Sequence, residues 1–337
     1  GEEWFEKPCM VPEGVEDNSR YPVSWDIYDF DDSLLVSSGW NSDTVISYGS
    51  GTYPQDLTSC ASIPAGSFMM GNDWDEWIRG YSNYANPPHS VELDGFRMSY
   101  TEITQGHWEL VMGSFSFSNT ITEGDLNLPV AGINWKDAAY FCNKLSVLGG
   151  VDPCYDLETW NCDFDKNGFR LPTEAEWEYA CRAGTKTSCY VGNPPKSYAP
   201  GTTTPEFVRF EQALKRVAWF FPGWVVKDGE RVYADPAYVA DRHPVRGKYA
   251  NNFGLYDMLG NVSELCHNVY SEDFYDITPN KNPRGPGFVS RGGCYGSEAV
   301  PSLLSAYRYE AESYSYGNPY TGFRIVRRQA ISEEEPE

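Results

Sequence analysis

Residues 170–185, RLPTEAEWEYACRAGT, limit the possible folds of this chain more than any other stretch. Thr173 stands where a helix N-cap is wanted and Glu176 follows three residues later, the reciprocal pairing of a capping box. Ala175, Trp177, Tyr179 and Ala180 supply an apolar face, and Gly184 ends the helix. A second helix is expected in NWKDAAYFCNKLSVLGG, starting near Trp135, with Ala138, Ala139, Phe141, Cys142 and Leu145 at helical spacing and Gly149 and Gly150 as the stop. The roughly 140 residues after Gly184 are rich in Gly and Pro and carry no further convincing helix. Two helices with a long irregular remainder match no simple layered class.

Upstream, IPAGSFMMG reads as a short strand, and HSVELDGFRMSYTEIT alternates apolar and polar residues for the length of a hairpin. Residues 1–60 are polar and turn-rich and read as an N-terminal extension, 61–328 as the main domain, and 329–337, ending ISEEEPE, as an acidic tail.

With 337 residues, 41% hydrophobic and 15% aromatic, the chain can bury a substantial core and is globular. A net charge of −22 repels phosphate backbones and anionic headgroups, which argues against nucleic-acid or membrane-surface binding by charge. No apolar run approaches the roughly 18 residues of a membrane helix. The start, GEEWFEKPCM, carries no basic or apolar leader, so the chain is expected to be cytosolic or to have lost a targeting segment. The four His are scattered and no CxxC occurs, so no zinc site is expected. Nine Cys leave at least one unpaired within the chain. Cys154 and Cys162, which bracket YDLETWN, are the most plausible disulfide, and the remaining pairings stay open.

Near the end, SRGGC is followed by YGSEAVPSLLSAYRYEAESYSYGNPYTGFR, residues 295–324. Residues 295–321 hold six Tyr and five Ser but no Lys, Gln, Met or Trp, the composition of a paratope. Tyr offers broad amphipathic contact while freezing two torsions, and Ser and Gly adapt. Gly292 and Gly293 allow a tight path into the segment, and Arg324 can tie its end back with a multi-donor fork.

The ordered series IPAGSFMMG, TEITQGHWELVMG, LPVAGINWKDAAYFCNKLS, NGFRLPTEAEWEYACRAGT, NNFGLYDMLGNVSEL, VSRGGCY and GFRIVRR closely resembles the formylglycine-generating-enzyme family, a variant of the C-type lectin fold. The resemblance implies an α+β domain with two helices, short antiparallel sheets and long ordered loops. The family's oxidases hold copper(I) with two Cys in the loop after RGG, five residues apart. Here those positions are Ser297 and either Ser302 by spacing or Ala306 by alignment of YRYE, and the nearby Cys294 replaces a family Ser. Soft copper(I) wants thiolates, so the resemblance to the oxidases does not extend to their chemistry, and no cofactor is expected.

A second branch of that family, the variable proteins of diversity-generating retroelements with a spirochaete member among them, resembles this chain most closely. There the C-terminal segment, here 289–326, is diversified at adenines, chiefly in Asn codons, which never yields Glu. Glu298, Glu310 and Glu312 are then fixed. The resemblance implies a non-enzymatic, exported lipoprotein on a bacterial cell surface, anchored through an N-terminal Cys absent here, with a protein or other surface ligand as partner. Expected contact residues are Tyr295, Gly296, Ser297, Ala299, Ser302, Leu303, Ser305, Tyr307, Tyr309, Ser313, Tyr314, Ser315, Tyr316, Asn318 and Tyr320, with Ala299, Ser302 and Leu303 open to an inward-facing alternative. Asn261 and Glu264 in GNVSEL lie where family members coordinate calcium, or else build a buried hydrogen-bonded turn. CDFDKNG reads as a turn before Arg170.

Overall fold

A computed structural model describes residues 60–72, 85, 87–113, 125–195, 204–221, 241–267, 289–297, 300–310 and 318–329, together with the backbone of short strands elsewhere. Most of the N-terminal extension and residues 330–337 of the acidic tail lie outside the described residues. Within the extension, β1 (Asp26–Tyr28) pairs antiparallel with β2 (Leu34–Ser37), and β3 (Ser47–Tyr48) with β4 (Gly51–Thr52).

The main domain opens with β5 (Cys60–Ile63) and β6 (Gly66–Met70), followed by β7 (His89–Leu93) and β8 (Phe96–Ser99). The expected hairpin within HSVELDGFRMSYTEIT does not form. Instead β5 pairs with β8 and β6 with β7 in one register, Ile63 opposite Phe96 and Gly66 opposite Leu93. The two segments 60–70 and 89–99 therefore run antiparallel in one register, with the pairing interrupted at 64–65 and 94–95. The interruption lies where Pro64 cannot donate to a ladder and where Gly95 passes so close that a Cβ would stand 3.3 Å from the Ile63 carbonyl oxygen. β8 continues into a four-stranded sheet with β18 (Val326–Arg328) and β9 (Phe169–Arg170), in the order β5-β8-β18-β9.

Both expected helices are present, as α2 (Trp135–Leu148) and α3 (Glu174–Arg182), and the Thr173–Glu176 capping box is formed in both directions. Two more appear among the described residues. α1 (Gln105–Met112) is capped by Thr104, whose hydroxyl accepts from the His107 amide while its own amide donates to His107 Nδ1. α4 (Pro205–Val217) lies in the region read as helix-free. Thr204 caps it, Pro205 fits the first turn, and Phe207, Phe210, Leu214 and Val217 form its buried stripe.

Two apolar clusters fill the domain. One gathers α3 and α4 against β5, β6, β7 and β8 and includes Trp177, Phe210, Leu214, Leu303 and Leu304. The other joins α1 to α2, where Trp108 stacks on Phe141 at 5.4 Å and Phe323 packs edge-on against both. Two smaller pairings flank them: β10 (Ala218–Trp219) runs parallel to β13 (Leu259–Gly260), and β11 (Trp224–Lys227) pairs with β12 (Glu230–Tyr233).

The sheet that positions the C-terminal segment runs β16-β15-β14-β17. β14 (Ser263–Leu265) comes from GNVSEL, and the other three come from the segment itself: β15 (Val289–Arg291), β16 (Tyr309–Glu310) and β17 (Thr321–Gly322). β14 pairs antiparallel with β15 and parallel with β17. The segment thus leaves and rejoins one short strand, and what it carries in between is presented by that strand.

Phe210→Ala should cost about 3–5 kcal/mol, because it empties a buried site under α4. Gln212→Ala, on the exposed face of the same helix, should stay within about 0.5 kcal/mol in chemical denaturation.

Candidate functional site

The α3 helix is buried on every side, and Glu174 and Glu178, one turn apart, are fully buried. Such carboxylates persist only if paired. Three fully buried arginines of the C-terminal segment answer them and Glu264. Arg291 donates through Nη2 to Glu178, forms an ion pair with Glu174 at 3.3 Å, and uses Nη1 to hold the carbonyl oxygens of Ser305 and Tyr307. Arg308 grips both oxygens of Glu174. Arg324 forms a two-bond fork on Glu264, at 2.6 and 2.7 Å, and also donates to the Ser99 and Tyr256 carbonyls. Trp177 Nε1 completes Glu264 at 2.6 Å. The start, middle and end of the segment are each tied to the scaffold by a guanidinium–carboxylate pair.

Asn261 orders the surface above that frame. It sits in the left-handed region at φ 58°, after Gly260 at φ 79°. Its amide donates to the Trp219 carbonyl and its own carbonyl accepts from the Tyr295 amide. Its side chain accepts from the His243 amide and donates to the His243 carbonyl and to Glu102. One residue thereby fixes the Trp219 strand, the 241–243 loop and Tyr295. The other end of the segment is fixed by Ser263, whose amide and hydroxyl donate to the Tyr320 carbonyl, and by Gly132, whose amide donates to the Asn318 and Thr321 carbonyls.

Tyr295 and Tyr320 then meet, ring centroids 5.2 Å apart, over the exposed Gly296. A Cβ on Gly296 would stand 3.2 Å from the Tyr320 ring. Asn318 and Tyr320 are exposed, and Asn318 Oδ1 accepts from the Tyr320 amide. Burial, the neighbouring Tyr320 and the exposed Asp241 push the Tyr295 phenol up to about 12. Beside them Trp219 stacks on His243 at 3.7 Å, with Lys248 over its ring. Tyr307 and Tyr309 form a second ring pair at 4.6 Å, both half-buried.

Of the expected contact residues, Ser297 and Ser305 are interior, and Leu303 takes the inward-facing alternative left open for it. Leu303 and Ser305 are fully buried, and Ser297 is buried with its hydroxyl accepting from the Cys294 amide. The reason is the turn at Gly292 and Gly293, with φ of 91° and 71°. It folds the chain under itself until a Cβ on Gly293 would stand 2.8 Å from the Ser302 carbonyl and 3.0 Å from Leu303. Ser302 is half-buried and with Ser297 hydrogen-bonds the Tyr309 phenol. Ala299, Ser313, Tyr314, Ser315 and Tyr316 lie outside the described residues.

The positions aligned with the oxidases' copper ligands do not fit that ion. Ser297 and Ser302 offer hydroxyl oxygens already engaged around Tyr309, and Ala306 is a buried methyl. The neighbouring Cys294 is a single thiol, held protonated by burial. A soft monovalent ion needs paired thiolates. The calcium alternative at GNVSEL is also taken up internally: Glu264 is spent on Arg324 and Trp177, and Asn261 on His243 and Glu102. These contacts, and the function of Asn261 as the node of the surface, were not legible in GNVSEL beyond its Gly-Asn turn.

Removing one partner of a buried pair strands the other charge, so Arg308→Ala should lower unfolding free energy by about 3–5 kcal/mol in chemical denaturation. Below the surface, burial raises Glu102 well above its ordinary range and pushes Asp257 up to about 6 from 3.8. Between these values the folded protein holds a proton that the unfolded chain has released. The Asp257 contribution therefore grows as pH falls through 6 and is lost as pH rises above it. From pH 7 to 5 the wild type should gain about 1 kcal/mol over Asp257→Asn, a comparison in which the opposing titration of His243 cancels.

Residues 50–329 match the sulfatase-modifying factor enzyme 1-like domain family. The chain is 29% identical to the chaperone protein LppX of Paenibacillus barcinonensis, over 71% of this chain and 82% of that protein. It is 28% identical to the formylglycine-generating enzyme of Mus musculus, over 80% of this chain and 74% of the enzyme. Among solved structures, Treponema denticola variable protein 1 superposes with a TM-score of 0.59 at 29% identity, covering 80% of this chain and 95% of that one. The match spans the whole of residues 61–328, and the chain belongs to the sulfatase-modifying factor enzyme 1-like family.

Proposed function

We propose that this chain is a non-enzymatic binding protein which presents a diversified, Tyr- and Ser-rich surface on a rigid formylglycine-generating-enzyme-type frame. The observation that carries this reading is the division of the C-terminal segment. Its arginines and Leu303 are locked inside, while Tyr295, Gly296, Asn318 and Tyr320 meet at the surface. Side chains on that surface can vary without touching the ion pairs beneath.

Ser297 and Ser302 in place of paired thiols argue against oxygen-dependent copper chemistry. The likeness to a Treponema variable protein supports a diversified segment, taken as 289–326, and the outward residues of the expected set are its contact surface. Tyr307, Tyr309 and Ser302 border it, and Ala299, Ser313, Tyr314, Ser315 and Tyr316 complete it. The partner is a protein or another surface ligand, met by the chain as an exported lipoprotein on a bacterial cell.

A binder selected from a peptide-display library on the wild-type protein should bind Tyr295→Ala/Tyr320→Ala at least about 30-fold more weakly, matching loss of central aromatic anchors. The melting temperature of the double variant should stay within about 2 °C. Unchanged affinity for every selected binder, or copper-dependent oxidation of a Cys-containing peptide by the wild type, would refute the reading.

A further inference from the structure

The loop between Cys154 and Cys162 is closed on itself. Tyr155 bridges to Cys162 across an antiparallel turn, and the Asp163 amide donates to the Cys154 carbonyl at 2.8 Å. Asp156 Oδ1 accepts from the amides of Glu158 and Thr159, and the Trp160 amide donates to the Asp156 carbonyl. Trp160 is held at φ 62°, a left-handed conformation that a bulky side chain rarely adopts. The base of the loop is fixed to α2, where Asn143 exchanges two hydrogen bonds with the Tyr155 backbone at 2.7 and 3.0 Å. The Tyr155 hydroxyl accepts from the Leu171 amide, just before α3.

Cys154 and Cys162 are thiols here, and they hydrogen-bond to each other. The disulfide expected between them is therefore not formed, although the two sulfurs are already side by side. Cys154 is buried at 1% exposure, whereas Cys162 is half-buried. The hydrogen bond between the two thiols, helped by Arg170 and Lys166, lowers Cys154 below the ordinary thiol range and raises Cys162 above it, while burial raises Cys142, Cys181 and Cys189. Cys142 is close enough to act on Cys154 by charge, yet it stays within α2 and makes no such bond.

The geometry points to Cys154 and Cys162 as a dithiol site that a low-molecular-weight or protein disulfide converts to an intramolecular disulfide, clasping the 155–161 loop. The Cys162 sulfur, at the more open position, passes its proton to Cys154 across their hydrogen bond, attacks one sulfur of the oxidant and releases its partner as a thiolate. The Cys154 thiolate then attacks Cys162 Sγ, expelling the second oxidant thiolate and forming the Cys154–Cys162 bond. Two protons and two electrons leave the protein, and the oxidant disulfide accepts both electrons and departs as two thiols. The inference is independent of what the Tyr-rich surface binds.

The test is incubation of the folded full chain with oxidised glutathione, rapid alkylation of remaining thiols, digestion and peptide mass mapping. A Cys154–Cys162 crosslink should be the main product, with a rise of several degrees in melting temperature that a reductant reverses. Cys154→Ser should instead accumulate glutathione on Cys162, which shows the order of attack in a variant that keeps the fold. Alkylation of both residues after oxidation, while the denatured chain crosslinks, would overturn the proposal, as would a crosslink from either of them to Cys142 or Cys60.

Discussion

Four guanidinium–carboxylate pairs made by three buried arginines, Arg291 with Glu174 and Glu178, Arg308 with Glu174, and Arg324 with Glu264, are what the rest of this molecule depends on. Burying such charges costs several kcal/mol per ion before attraction repays it, so these pairs are a poor source of net stability compared with an apolar core. What they supply is position. A planar fork accepts a carboxylate in few orientations, and Arg291 and Arg324 also hold main-chain carbonyls, so the backbone of the segment is fixed at residues far apart in sequence.

Fixing the backbone from below leaves the outward side chains free to differ. Tyr295 is aimed by a main-chain bond to Asn261, and Tyr320 by main-chain and hydroxyl bonds to Ser263. Neither attachment uses the phenol ring. Gly296 keeps the ring pair close because any Cβ there would meet Tyr320. The same logic explains the departure from the oxidases: where two thiolates would grip an ion, Ser297 and Ser302 close a hydrogen-bonded floor around Tyr309.

Local signals carried the fold well where they were self-contained. The Thr173–Glu176 capping box, the Trp135 start of α2 and the fork of Arg324 are all present as read. The α4 helix was missed because four apolar residues in a charged, Pro-led segment look unremarkable until a core is there to receive them. α1 was hidden because its cap partner is His107, where Glu or Gln is the usual sign. Pairing of 60–70 with 89–99 could not be read from alternation, which fixes faces but not partners. Ser297 and Ser305 look like their exposed neighbours in a Tyr- and Ser-rich string, whereas Leu303 was open to an inward position from its apolar side chain. Only the double left-handed turn at Gly292 and Gly293 decides that the two serines point inward.

The most direct test is residue-resolved hydrogen exchange on a chain whose outward positions Tyr295, Asn318 and Tyr320 are all changed to Ser. The amides of Asn261, Ser263 and Thr321, which donate to main-chain carbonyls of Trp219, Tyr320 and Asn318, report the frame. Protection at these amides should match the unaltered protein, because the ion pairs beneath are untouched. Loss of protection there would mean that the aromatic surface itself holds the frame together, which contradicts the separation of frame from binding surface.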